Sequence, residues 1–220
     1  MKTITEVFVL KDEIKSLKVI NKFAILGGTF DPIHLGHISV AEAVLDKTDV
    51  EKVLFIPSGK PPHKELECVS NSDIRLDMTR LAIEGHENME VSSIEIDRGG
   101  MTYTVDTVLQ LKALLGNDAK FKFITGADAI HDIKTWKDYK LLLKICSFIA
   151  VTRPGYNKNT EAMEIEKIEK KFGCDIEFIE IPPVDISSSQ IRQNISNGIS
   201  VDGMVPDKVS EYIFKKGLYK

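Results

Sequence analysis

The sequence predicts an α/β protein: a doubly wound parallel sheet with helices on both faces. Three observations carry that prediction. Short apolar runs recur along the whole chain, most of them stop at Gly or Pro, and the segments between them have helical period. Strands buried on both faces read as near-continuous apolar runs, and strands alternating with helices imply parallel crossovers.

KFAIL (Lys22 to Leu26) is the first strand and ends at Gly27-Gly28; a helix follows through His37 to Leu45. VLFIP (Val53 to Pro57) is the second strand, stopped by a residue that cannot donate to a ladder. Apolar residues at 74, 78, 81 and 82 fit a helix over 74–83. VSSIEID (Val91 to Asp97) alternates and reads as a third strand. Thr104 to Leu115 is helical and ends at Gly116. FKFITG (Phe121 to Gly126) and CSFIAVTRP (Cys146 to Pro154) are further strands. EAMEIEKIEKK (Glu161 to Lys171) is a solvated helix with one apolar side. IEFIEIPP (Ile176 to Pro183) is the last strand, and helices start at Ser188 and Pro206. Residues 1–20 mix apolar and charged residues without a period and form an N-terminal extension of open structure; 21–220 form one domain.

Composition narrows the functional classes. Lys+Arg is 29 and Asp+Glu is 33, a formal −4, which is a poor footprint for nucleic acid but leaves a local anion site open. Three cysteines, Cys68, Cys146 and Cys174, lack any CxxC, so a disulfide framework is not expected and a cytoplasmic protein is. No apolar run reaches the ~18 residues of a membrane span, so no membrane association is expected.

Ligands of doubly wound sheets bind beyond the C-terminal strand ends, where the strand order reverses. GGTFDPIHLGH (Gly27 to His37) falls there. Its two glycines allow a sharp turn and close approach of a ligand to the backbone. The helix start favours an anion, and His34 and His37, three apart, share one face. Two such histidines also suit a plain surface or a zinc pair, although no HExxH or CxxC supplies further ligands. The loop is neither GxxxxGK[ST] nor GxGxxG.

GGTFDPIHLGH resembles the HxGH signature of a nucleotidyltransferase superfamily, and ISSSQIR (Ile186 to Arg192) resembles the ISSTxIR signature near that family's C-terminus. PSGKPPHK (57–64), MTYTVDT (101–107), GADAIHDIKTW (126–136) and RPG (153–155) are similar to the nicotinate-nucleotide adenylyltransferases of bacteria, over about residues 22–220. The resemblance implies the HxGH nucleotidyltransferase fold, which is Rossmann-like, and an enzyme of NAD biosynthesis. ATP and nicotinate mononucleotide would give deamido-NAD and pyrophosphate by direct in-line attack. Alternatives are another acceptor, nicotinamide mononucleotide or phosphopantetheine, and a non-catalytic nucleotide-binding regulator.

The resemblance also implies site residues. His34, His37, His63, Lys64 and Asp128 would be catalytic. Gly27, Gly28, Thr29, Phe30, His34, His37, Gly126, Asp128, Ser188, Ser189 and Arg192 would bind ATP. Lys64, Thr104, Trp136 and Arg153 would bind nicotinate mononucleotide, Trp136 by stacking and Thr104 through backbone N–H groups at a helix start. Read without the resemblance, the serines suit helix N-caps, Asp128 a helix cap and Trp136 the core. Mg²⁺ is expected with ATP, held mainly by phosphates and water rather than by protein side chains. A homodimer is an implied partner state.

Overall fold

A computed structural model describes residues 22–61, 69–116, 118–152 and 158–220, with the backbone alone over 158–164. The extension 1–20, His63, Lys64, Cys68 and Arg153 lie outside the described residues.

Six strands form one wholly parallel sheet: β1 Phe23–Gly28, β2 Lys52–Pro57, β3 Met89–Val91, β4 Phe121–Gly126, β5 Ser147–Thr152 and β6 Ile176–Glu180. Their order is β3-β2-β1-β4-β5-β6. The strand order reverses between β1 and β4, as in dinucleotide-binding sheets. The helices are α1 Leu35–Lys47, α2 Ser72–Ile83, α3 Ile94–Arg98, α4 Thr104–Leu115, α5 Ala127–His131, α6 Tyr139–Ile145, α7 Lys158–Phe172, α8 Ser188–Ser196 and α9 Asp207–Lys216. A 3₁₀ turn over Asp132–Thr135 joins α5 to the segment of Trp136.

Alternation along each strand divides two cores. Ala24, Leu26, Val53, Phe55 and Ile124 face α1, α2, α8 and α9. Phe23, Ile25, Leu54, Ile56 and Phe123 face α4 to α7. Both faces are thus covered, which explains why the strands read as continuous apolar runs rather than as alternating ones.

One element departs from the sequence reading. The strand expected over 91–97 ends at Val91, and Ile94–Arg98 is the short helix α3. The serines decide it: Ser92 Oγ accepts from Ile94 N at 3.3 Å, and Ser93 Oγ donates to Asp97 Oδ2 at 2.6 Å. Such local side-chain bonds compete with a ladder and turn the chain. The turn brings Glu95 to the C-terminal end of the sheet.

Candidate active site

The C-terminal strand ends open into a cleft of about 690 Å³ at the β1/β4 switch point. Gly27, Gly28, Thr29, Thr104, Gly126, Asp128 and Trp136, all expected from sequence, line it. Asp128 lies in the first turn of α5 but does not cap it; the N-cap position is Gly126. Trp136 is half-buried and stands edge-on to Phe123, with ring centroids 6.2 Å apart. Thr104 opens α4 directly after its N-cap Tyr103, so first-turn N–H groups meet the cleft. Lys137 fastens these two parts together: its Nζ lies 2.9 Å from Asp106 Oδ2 and 4.6 Å from the Tyr103 ring centroid.

A second group gathers at the start of α1, beside the cleft wall. His34 is the N-cap of α1, and its ring stacks on His37 with centroids 3.7 Å apart. His34 N–H donates to His37 Nδ1 at 3.2 Å. An accepting Nδ1 leaves the proton of neutral His37 on Nε2, a donor. Burial pulls the His34 pKa down to about 4, so this ring is neutral near pH 7, and its Nδ1 is buried without a partner.

The loop between β1 and α1 is held by its carbonyl oxygens. Arg75 Nη1 donates to Thr29 O at 2.7 Å, Arg192 Nη1 to Asp31 O at 2.7 Å, and Ser188 Oγ to Pro32 O at 2.9 Å. Bonds of this kind keep carbonyl dipoles away from an arriving anion. Asp31 is buried, and its carboxylate accepts from Ser70 N–H at 3.1 Å and from Tyr219 OH at 2.6 Å.

These contacts correct several expectations. Ser187, not Ser188 or Ser189, caps α8, accepting from Gln190 N–H. The Ser188 hydroxyl proton is committed to Pro32 O, so Ser188 positions the loop by its side chain and meets a phosphate only through its N–H. Ser189 accepts from Arg192 Nη2 at 3.3 Å. Phe30 is 2% exposed and edge-on to His37, so its ring is core and only its backbone can face a ligand. Its ring also explains Gly28, where a Cβ would lie 2.5 Å from it.

Sequence reasoning missed three residues. Arg75 is 1% exposed and donates to Ser70 O, Thr29 O and Gly59 O, joining three segments around the cleft. Its signal was positional, since 75, 78, 79 and 82 form the buried stripe of α2. Glu95 lines the cleft at 6% exposure, its Oε1 accepting from Thr107 Oγ1 at 2.6 Å. Burial pushes the Glu95 pKa up to about 7, against the Thr107 bond and Arg98. The stability its neutral form contributes is therefore present below its ordinary value of 4.5 and lost as pH rises through about 7. Ser58, also on the cleft wall, gave no local signal.

The cysteines described are free and buried, and burial lifts the Cys146 thiol to about 12, which leaves it unreactive. Among the described residues no group of three or more His, Cys, Asp or Glu could hold a metal ion. Among them, too, no helix is long and apolar enough to cross a membrane.

The chain matches a family model described as cytidylyltransferase-like over residues 25–194. A protein of Thermoanaerobacter sp. (strain X514) named "Probable nicotinate-nucleotide adenylyltransferase" is 45% identical over 90% of this chain and 94% of its own length. One of the same name from Moorella thermoacetica is 44% identical over 90% of this chain and 92% of its own. Among solved structures, the fold is shared with Plasmodium falciparum nicotinic acid mononucleotide adenylyltransferase complexed with NaAD. That likeness has a TM-score of 0.72 at 24% identity and covers 90% of this chain and 97% of that one.

Proposed function

The chain belongs to the cytidylyltransferase-like family and, within it, to the nicotinate-nucleotide adenylyltransferases, and from that premise we infer that it transfers the adenylyl group of ATP to nicotinate mononucleotide. The products are deamido-NAD and pyrophosphate. One observation carries the reading: a cleft at the β1/β4 switch point that joins a glycine loop to Thr104 and Trp136.

An oxygen of the acceptor phosphate forms a bond to the α-phosphorus, and the bond to the β-phosphate oxygen breaks. The second pKa of such a phosphate is about 6, so it is ionised at neutral pH and needs no general base. Alignment and charge stabilisation remain for the protein to supply. His37 Nε2–H donates to the α-phosphate oxygens. Arg192, with one of its five N–H groups on Asp31 O and one on Ser189 Oγ, and the N–H groups at the start of α8 take the β- and γ-phosphates. Gly27, Gly28 and Thr29 admit the phosphates to the backbone. Gly126 and Asp128 flank the adenosine. Trp136 stacks on the nicotinate ring, and the first turn of α4 at Thr104 receives its carboxylate. His63, Lys64 and Arg153 complete the phosphate contacts in this reading.

Mg²⁺ enters as part of the ATP substrate. Its phosphates and waters suit a cleft whose described lining offers two carboxyl groups, those of Asp128 and Glu95. The reading places the enzyme in the cytoplasm as a homodimer, which light scattering tests.

Release of pyrophosphate from ATP with nicotinate mononucleotide, nicotinamide mononucleotide and phosphopantetheine in parallel tests the whole. Nicotinate mononucleotide should win on kcat/KM. Preference for either other acceptor contradicts the reading, and no release with any of them favours a non-catalytic nucleotide binder.

A further inference from the structure

We propose that Ser58 binds the acceptor nucleotide directly and, together with Glu95, forms the subsite for its ribose hydroxyls. The proposal rests on the reading of the acceptor as nicotinate mononucleotide.

Ser58 follows the last residue of β2, and its N–H donates to Gly28 O at 2.8 Å, which fixes it at the edge of the glycine loop. It is 8% exposed, it lines the cleft, and its Oγ has no hydrogen-bond partner. A buried hydroxyl left unpaired costs about 1–3 kcal/mol. Such a hydroxyl, on a residue that lines a cavity, is explained by a ligand that completes it.

Charge decides which part of the acceptor reaches it. Among the described residues that line the cleft, none is Lys, Arg or His. The imidazoles and Arg192 lie instead at the start of α1, where the functional reading puts the phosphates. Glu95 shares the wall with Ser58, and a carboxyl group there repels a phosphate dianion but accepts from hydroxyls. The ring and its carboxylate belong to Trp136 and Thr104. Between the phosphate corner and the ring lies the ribose, whose hydroxyls both donate and accept, as the Ser58 hydroxyl does. The wall is stiff: a Cβ on Gly59 would come within 2.7 Å of Glu95 O, so the Ser58 loop and α3 touch backbone to backbone. Thr107 holds the Glu95 carboxyl from the other side.

A cycle of Ser58→Ala against nicotinate mononucleotide and its 2′-deoxy and 3′-deoxy forms tests this. Ser58→Ala should raise KM for nicotinate mononucleotide roughly 3- to 10-fold, the worth of one hydrogen bond, and leave KM for ATP alone. The wild-type protein should lose a similar factor on one deoxy acceptor, and the variant little more. The ligand-free variant should unfold at the same or a higher temperature, because an unpaired hydroxyl has been removed; a merely structural hydroxyl would lower it. A variant that separates ribose from deoxyribose as sharply as the wild type overturns the proposal while the functional reading stands. A wild type inactive on nicotinate mononucleotide overturns both.

Discussion

At the scale of single residues, His34 is the group whose protonation the substrate should change. Its pKa near 4 is depressed by burial, and its Nδ1 lacks a partner. A depressed folded value means that the neutral ring contributes stability above the ordinary 6.5, lost as pH falls toward 4. A polyphosphate beside the ring opposes that burial and raises the pKa. ATP binding near pH 5.5 should therefore take up a fraction of a proton that fades by pH 8. Titration calorimetry in two buffers of different ionisation enthalpy measures it. Buffer-independent heats at pH 5.5 would show that the phosphates do not reach His34. Both histidines were legible because three residues of spacing suffices to bring the rings together. The Ser188 commitment to Pro32 was not, because its partner lies 156 positions away and hydroxyl direction leaves no trace in a motif. The burial of Phe30 likewise depends on Gly28 folding back over its ring.

At the scale of elements, the buried parallel strands were legible because each needs an apolar run and a stop, and both are local. The segment after Val91 reads as a strand because its alternation satisfies a strand as well as a turn. Ser92 and Ser93 side-chain bonds chose the turn, and with it the position of Glu95. Helix α2 lies where its apolar spacing predicts, and Arg75 sits on its inner stripe, where a charged residue looks like a break in the pattern. Its role follows from three acceptors in three segments: Ser70 O before α2, Thr29 O after β1 and Gly59 O after β2. Arg75→Met leaves three carbonyls without their donor and should destabilise the protein by about 3 kcal/mol or more, at about 1 kcal/mol per bond. It should also raise KM for both substrates, because both loops lose their tie. Arg75→Lys should rescue little, as an ammonium lacks the planar fork. Urea unfolding and steady-state kinetics check this; a Met variant within about 1 kcal/mol of wild type would contradict the strut.

At the scale of the whole molecule, positive charge is distributed by the field of the fold rather than by the net −4. The end opposite the active site has its own cleft of about 510 Å³, lined by Lys22, Lys112, Lys120, Lys122 and Lys144. Helices α4, α6 and α7 end there, and cations offset the negative ends of their dipoles. The opposite end instead presents helix starts, the imidazoles of His34 and His37, and Arg192. What joins the two termini of the described chain is Tyr219. Gly217, with φ 64°, ends α9, and the tail then returns to place Tyr219 OH on Asp31, 188 positions earlier. Burial and the Asp31 bond both raise the Tyr219 pKa, so the phenol stays a donor across the working range. The loop between β1 and α1 is thus tied to the segment after α9, and cutting that tie should lower stability and activity together. Tyr219→Phe keeps the packing and removes one donor to a buried carboxylate, which should cost about 1–3 kcal/mol. For a domain of this size that is a Tm lower by roughly 3–10 °C. Because Asp31 anchors the loop that carries His34, kcat/KM for ATP should fall several-fold while the ratio between acceptors, which the proposed function assigns to Thr104 and Trp136, stays put. Unchanged kcat/KM in a variant of lowered Tm would confine Tyr219 to stability alone.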